Sequence, residues 1–478
     1  MHIIDLLIFI VYMILMLAVG LFFLKKNKNA DDYYVGGRKM SSFHVGLSVV
    51  ATDVGGGFSI GLGGLGFIMG LAGSWMLFTG LIGAWLTAVV LIPKVSKLSK
   101  KLQLFTFPQI FEHFYNGKVA LLAGIISAIG YIGFTSSQIL AGAKLASASF
   151  EGLNMKEALI IMGAIAVLYT VMGGLKAVIY TDTIQWIILM GGLIFIGIPV
   201  CYYAIGGIDV IKITLGDEFF SLQNVKWQQI VNWSVTIIPI WFVGMTLFQR
   251  IYSTKGEKEA RKAWFLAGLF EWPLMAFMGV ILGLFSRVAF ENGMFTSLGY
   301  APDYELDAEM GLPLLLRNVL PVGLMGLMMS AYFSAVMSTA DSCLMAASGN
   351  ILTDIMDKIR PIKRSDKGVL RISQLLTLVI GVLALLLALN MQNVLELMLY
   401  SYAFMVSGLF IPVLGAFYWK KSHPVAAFWS MLSGGSITLI LTITEFNLPF
   451  GLDANIFGIV ASFLLFVILS FIYTKNKG

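Results

Sequence analysis

The sequence predicts an all-α polytopic membrane protein, and three observations carry that reading. Hydrophobic residues make up 58% of the 478 residues. Charged residues make up only 12%, against about 25% in soluble domains. Mean hydropathy is +0.86, and apolar runs of about 20 residues, the length that crosses a bilayer, recur along the chain. A soluble chain needs more polar surface than this one supplies. The same balance excludes disorder, a disulfide scaffold and an ordinary soluble enzyme.

Thirteen candidate spans follow in order, near 3–24, 42–70, 73–93, 119–149, 157–174, 179–203, 229–248, 263–290, 312–346, 369–390, 393–418, 424–444 and 452–473. The first is too long for the apolar core of a signal peptide and lacks a small-residue cleavage site. Basic residues gather after the first span (Lys25, Lys26, Lys28, Arg38, Lys39), the third (Lys94, Lys97, Lys100, Lys101) and the seventh (Arg250, Lys255, Lys258, Arg261, Lys262). They gather again after the ninth (Lys358, Arg360, Lys363, Arg364, Lys367, Arg371), after the eleventh (Lys420, Lys421) and at the C-terminus (Lys475, Lys477). With thirteen spans, all six segments share one side. The connection after the eighth span is acidic, with Glu291, Asp303, Glu305, Asp307 and Glu309. The positive-inside rule then puts the N-terminus outside and the C-terminus inside. The net charge of +6 is thereby a topology signal, and no nucleic-acid partner is expected. Membrane lipid is the expected surrounding, in a plasma membrane of the bacterial inner type, with no obligatory protein partner. Two cysteines and four scattered histidines leave no material for a metal cluster.

Two spans carry interruptions. In the second, seven of the twelve residues from Gly55 to Gly66 are glycine, enough to unwind a helix and free carbonyls. Bare carbonyls beside Asp53 suit a small hard cation such as Na⁺; close packing through small residues is the plainer alternative. The seventh span holds Pro239 and Gly244, a kink or a break. It lies five spans after the glycine-rich one. Broken spans at corresponding positions of two five-helix halves point to an inverted-repeat carrier.

Asp53, Asp182 and Asp341 stand in or near spans, where a carboxylate costs roughly 2.5–3.5 kcal/mol and is a functional candidate by default. Ala335, Ser338, Thr339 and Ser342 share one helix face, and Asp341 borders it. Hydroxyls and a carboxylate are the oxygen ligands a sodium site requires; serines bonding back to carbonyls are the plainer alternative. Lys144 and Glu271 also stand within spans. Snorkelling and helix packing account for them, and neither is assigned a role.

The run Tyr169-Thr170-Val171-Met172-Gly173-Gly174-Leu175-Lys176-Ala177-Val178-Ile179-Tyr180-Thr181-Asp182-Thr183-Ile184-Gln185 resembles the signature of the sodium/solute symporter family. Its members carry proline, sugars, sialic acid, pantothenate and choline. Residues 335–339 resemble that family's sodium-binding helix, and residues 31–40 its entry into the first core helix. The resemblance implies a LeuT-type 5+5 inverted repeat within one transmembrane unit, 1–478. An extra helix lies at 3–24, repeats at 42–203 and 229–418, and two extra helices at 424–473. It implies a main sodium site of the carbonyls of Ala51, Val54 and Ala335 and the hydroxyls of Ser338 and Thr339. The second sodium site of some members maps to Asp182, Ser338, Asp341 and Ser342; a serine stands at the place of Asp341 in the sialic acid branch. Asp53 matches an aspartate of the proline branch.

For the solute, Trp75 and Trp241 are candidates for cation–π contact, and Ser59, Ser74 and Gln138 for hydrogen bonds to a carboxylate. Asp53, Phe58 and Tyr402 complete the expected lining. The expected activity is sodium-coupled import of an amino acid or another small organic ion by alternating access, without covalent chemistry. A proton-coupled carrier of the same fold and a sodium-binding sensor or channel-like protein are the rival readings.

Overall fold

The computed structural model describes residues 2–26, 30–360 and 366–475. Lys28, Lys363, Arg364 and Lys477, four of the charges used for orientation, lie outside them. Among the described residues the fold is helical throughout, with a single isolated bridge between Met40 and Thr254. The principal helices are α1 (Ile3–Lys26), α2 (Ser42–Gly56), α3 (Gly63–Met69), α4 (Trp75–Val90), α5 (Gly117–Ser149), α6 (Met155–Gly192), α7 (Trp227–Val243) and α8 (Met245–Ser253). They continue with α9 (Glu257–Leu269), α10 (Ala276–Glu291), α11 (Ala308–Val319), α12 (Leu324–Gly349), α13 (Asp366–Ala388), α14 (Val394–Tyr418), α15 (Pro424–Ile443) and α16 (Ala454–Lys475).

Eight helical stretches among the described residues are long and apolar enough to cross a membrane, nine when the bent α7–α8 pair is counted as one. This is fewer than thirteen, for a physical reason. Segment α2 is 15 residues long, short of a full crossing. Segment α12 has the length, but its serines, Thr339 and Asp341 dilute its apolar character.

Residues Met155–Gly192 keep helical backbone bonding throughout, where two spans were expected at 157–174 and 179–203. Their neighbours show that the chain nevertheless reverses. Thr170 bonds Asp341, and Asp182 bonds Ser338. Thr170 and Asp182 stand about 18 Å apart on a straight helix, whereas Ser338 and Asp341 stand about 4.5 Å apart. On one straight helix, the pairs Gly192–Met328 and Asp182–Ser338 would put Thr170 about two turns beyond Asp341. The order of contacts agrees: Gly163 meets Leu385 and Val167 meets Gly381, while Gly192 meets Met328. The two halves of α6 thus run in opposite directions, turning over between Val171 and Asp182. Leu175–Ala204 alone is long enough to cross.

Helix α12 is the hub. It packs against α1, α2, α5, α6 and α13, and α15 and α16 pack on each other and on α14. The glycine-rich run divides its labour. Gly55 leaves helical geometry (φ 41°, ψ −124°). Gly63 and Gly66 instead let α3 press against Val280 and Gly283 of α10, as small residues do in membranes. Both readings of that run therefore hold, at different residues. The second expected interruption is a 42° bend between α7 and α8, at Gly244 and after Pro239. A third, not expected, lies at Phe270–Met275, where Trp272 is extended (φ −137°, ψ 127°).

Lys144 does not snorkel. Its Nζ lies 2.5 Å from Asp307 and 2.7 Å from Glu309, and its side chain is buried. Glu309 also accepts the main-chain N–H groups of Val394 (2.9 Å) and Leu395 (3.0 Å). Those are the first residues of α14, whose N–H groups have no partner inside their own helix. One carboxylate thereby joins α5, α11 and α14.

Glu309→Ala is expected to lower the midpoint of thermal unfolding, by the equivalent of about 1–3 kcal/mol, because it leaves buried Lys144 with Asp307 alone and removes the acceptor of two α14 N–H groups. The Lys144→Met/Glu309→Leu double variant should recover part of the loss. Equal midpoints for wild type and Glu309→Ala would show that the clasp contributes nothing.

Candidate functional site

The break at Gly55 gathers polar groups from four helices. The Thr339 hydroxyl lies 2.8 Å from the Ala51 carbonyl and 3.3 Å from the Ala335 carbonyl. The Gln138 carboxamide accepts the Gly56 N–H at 2.6 Å. The Tyr402 hydroxyl lies 3.1 Å from the Asp53 carbonyl and 3.3 Å from its carboxylate. A side chain at position 55 would drive a Cβ into Thr339 and to 2.7 Å from Gln138 Oε1, so glycine alone allows α2, α5 and α12 this approach. Ala51, Ala335 and Thr339 of the expected sodium site are therefore together. Ser338 stands one residue from Thr339, but its hydroxyl bonds the Asp182 carboxylate. The side chains of Val54, Phe58 and Ser59 lie outside the described residues.

Asp182, Ser338 and Ser342 are also together, around a cation of the chain's own. The sequence reading counted Arg250 among the loop charges. It sits instead in α8 with no exposed surface, as does Asp182. Its guanidinium lies 3.5 Å from the Asp182 carboxylate. It donates to Ser48 at 2.9 Å, to the Thr246 carbonyl at 3.2 Å and to Ser342 at 2.9 Å. A further bond goes to Thr52, and Ser48 bonds Asp182. Asp341, expected in the same set, bonds Thr170 instead, and among the described residues its second oxygen has no partner. The second set thus differs from expectation in two ways: a guanidinium stands among its oxygens, and Asp341 faces α6.

Of the expected solute contacts, Asp53, Gln138 and Tyr402 meet at the break. Trp75 does not join them: its indole N–H is committed to the Leu222 carbonyl at 2.8 Å, and Ser74 is buried in the preceding turn. Trp241 packs against Gly83 of α4, with an indole N–H that has no partner among the described residues. Sequence reasoning missed Glu271. It lies in the third break, fully buried, beside Asp53. An acid followed by Trp272 and Pro273 within an apolar run was the available signal.

Helices that break inside the bilayer and present carbonyls, hydroxyls and carboxylates to one another define a secondary carrier. Solved structures share this architecture. A Na⁺-coupled sialic acid symporter in a substrate-bound outward-open state superposes with a TM-score of 0.80 at 22% identity, over 98% of this chain and 97% of that one. A nucleobase-cation-symport-1 family transporter in a closed conformation gives 0.59 at 13% identity, over 94% and 96%. Both show the LeuT-type fold. The sequence profile of the sodium:solute symporter family matches residues 33–434, and the chain belongs to that family. It is 28% identical to the osmoregulated proline transporter OpuE of Bacillus subtilis (strain 168), over 98% of this chain and 94% of that protein. It is 26% identical to the rabbit (Oryctolagus cuniculus) sodium/glucose cotransporter 1, over 92% and 72%. The protein is a sodium-coupled symporter of a small solute, not an enzyme, and is integral to the plasma membrane.

Arg250→Met is expected to leave Asp182 buried without its cation, lowering the thermal midpoint by the equivalent of about 3–5 kcal/mol. The Asp182→Asn/Arg250→Met double variant should regain more than half of that. Midpoints of the four proteins give the pair's coupling directly, and a coupling below about 0.5 kcal/mol would separate the two residues energetically.

Proposed function

We propose that the chain imports an amino acid or a related small organic ion together with Na⁺ by alternating access. In this reading thirteen spans form a 5+5 inverted repeat, 42–203 and 229–418, flanked by 3–24 and 424–473. The N-terminus is outside and the C-terminus inside. Sodium is held between α2 and α12 by the carbonyls of Ala51, Val54 and Ala335 and the hydroxyls of Ser338 and Thr339. The observation that carries this is the Thr339 hydroxyl 2.8 Å from the Ala51 carbonyl and 3.3 Å from that of Ala335, at a break only glycine permits. A small monovalent cation seated there takes oxygen from both helices and joins the broken helix to the hub.

The amino-acid assignment draws support from the proline transporters of Bacillus subtilis, which match over 98% and 89% of the chain, and from the acid at position 53. Sodium binding first and organising the outward cavity is the order of events that a two-helix clamp favours. At 100 mV one sodium ion brings about 2.3 kcal/mol from the electrical term. For the second set, Asp182, Ser338, Asp341 and Ser342, the arrangement around Arg250 favours a single sodium ion per cycle. The Arg250 guanidinium already supplies the positive charge there.

Thr339→Ala should raise the half-saturating NaCl concentration for thermal stabilisation about tenfold or more, the loss expected when a ligand worth some 1.4 kcal/mol is removed. Thr339→Ser should stay near wild type. KCl of equal ionic strength is the control. An unchanged sodium titration in Thr339→Ala and Ser338→Ala together would remove the site.

A further inference from the structure

We propose that Asp53 and Glu271 together recognise a protonated nitrogen, bearing N–H groups, on the transported solute. The proposal rests on the preceding reading that the break of α2 lines the solute path, and it names the chemistry of that path's ligand.

The two acids come from different breaks. Asp53 precedes Gly55 by two residues, and Glu271 precedes Trp272, the extended residue of Phe270–Met275. Their carboxyl groups lie side by side. Glu271 has no exposed surface and Asp53 retains 7%. The Glu271 carboxyl reaches its place only because position 80 of α4 is glycine; a Cβ there would overlap it. Apart from the Asp53 carboxyl, no group hydrogen-bonds the Glu271 oxygens among the described residues. The groups acting on Asp53 are Glu271 and Tyr402, and the group acting on Glu271 is Asp53.

The chain supplies its own cation to the buried acids Asp182 and Glu309, from Arg250 and Lys144, while Asp341 and Asp354 each bond a single threonine. Two carboxylates facing each other in a low-dielectric interior repel and are poorly solvated, so they demand a proton or a cation from outside. Charge alone is not enough, because buried acceptors also demand donors. A quaternary ammonium brings charge without a donor, and a sugar brings donors without charge. A protonated amine or amidine brings both, in the short charge-assisted bonds that carboxylates make best. Sodium answers the charge but needs a shell of several oxygens, and the face of α4 behind Glu271 presents Gly80 and, one turn on, Gly83 with Trp241 against it.

The test uses the purified full-length chain in lipid nanodiscs, with thermal midpoints read in NaCl. The probes are the twenty proteinogenic amino acids, putrescine, glycine betaine and glucose. At least one probe with a protonated N–H is expected to stabilise, while glycine betaine and glucose do not. Stabilisation by putrescine identifies a plain amine; stabilisation by an amino acid such as proline and not by putrescine identifies an amine carried beside a carboxylate. Glu271→Gln and Asp53→Asn should each weaken the active probe about 10- to 100-fold, the loss of a charged hydrogen bond. Glu271→Gln should keep the wild-type midpoint shift with NaCl, which establishes that it is folded. Should Gln not fold, Glu271→Asp retracts the charge by one methylene and should weaken the probe with the same unchanged sodium shift. Equal stabilisation by glucose or glycine betaine, no response to any N–H cation, or an amine affinity unchanged in Glu271→Gln would each overturn the proposal. A wild-type chain with no sodium response but with amine binding that depends on Glu271 would instead overturn the sodium reading and leave this one standing.

Discussion

Within hydrocarbon, a backbone polar group released from its helix must find another partner in the protein. That constraint organises the centre of this molecule. Once α2 leaves helical geometry at Gly55, its last turn has carbonyls and N–H groups to satisfy. Thr339 of α12 takes the Ala51 carbonyl, Gln138 of α5 takes the Gly56 N–H, and Tyr402 of α14 takes the Asp53 carbonyl. Three helices far apart in sequence are thereby held in register by one interruption. The missing Cβ at position 55 brings Thr339 and Gln138 into direct contact with the backbone.

Some of the buried charges are neutralised by the chain itself. Lys144 with Asp307 and Glu309, and Arg250 with Asp182, are closed sets whose cation is covalently attached. Breaking such a set strands a charge, so it stabilises the arrangement it closes. Helix α14 begins on Glu309 and α8 is tied to α2 and α6 through Arg250, so both sets join elements that sequence separates. Asp53 with Glu271 is an open set. A carrier needs this contrast: a mobile ligand gains most where the protein has left its charge unanswered, and least where a side chain already occupies the place.

Most of the helical layout was legible in the sequence because lipid imposes length and apolarity on every span. The break at Gly55 was legible because glycine density and Asp53 coincide there. The bend at Gly244 was legible from Pro239. The clustering of Ala335, Ser338, Thr339 and Ser342 followed from helical spacing. What escaped were facts of partnership. Arg250 lies close to a run of loop lysines, and nothing local separates a buried guanidinium from an exposed one; its burial depends on Asp182, 68 positions earlier. Lys144 read as a snorkelling chain because its partners sit in a loop-proximal acidic run more than 160 residues on. The turn within residues 155–192 was visible as two apolar runs, 157–174 and 179–203, yet its backbone bonding alone hides it. Trp75 misled because an aromatic beside a glycine-rich break suits a cavity, whereas its indole N–H had a loop carbonyl to reach.

Coupling between ion and solute has a short physical route here. Ala51 and Asp53 belong to the same last turn of α2, two residues apart and directly before Gly55. A cation drawing the Ala51 carbonyl toward Thr339 fixes the turn that carries Asp53, and a ligand drawing the Asp53 carboxyl toward Glu271 fixes the turn that carries Ala51. Neither needs a path through the rest of the bundle, because both act on one segment. The reciprocity of linkage then requires that whatever sodium adds to solute affinity, the solute adds to sodium affinity. The magnitude is bounded by how much freedom the Gly55 turn has left to lose. With Gln138, Thr339 and Tyr402 already bonded to that turn, the remaining freedom lies in the carboxyl groups and in the junction with Gly56 and the residues that follow. The glycines there make the junction costly to order and hence responsive to being ordered.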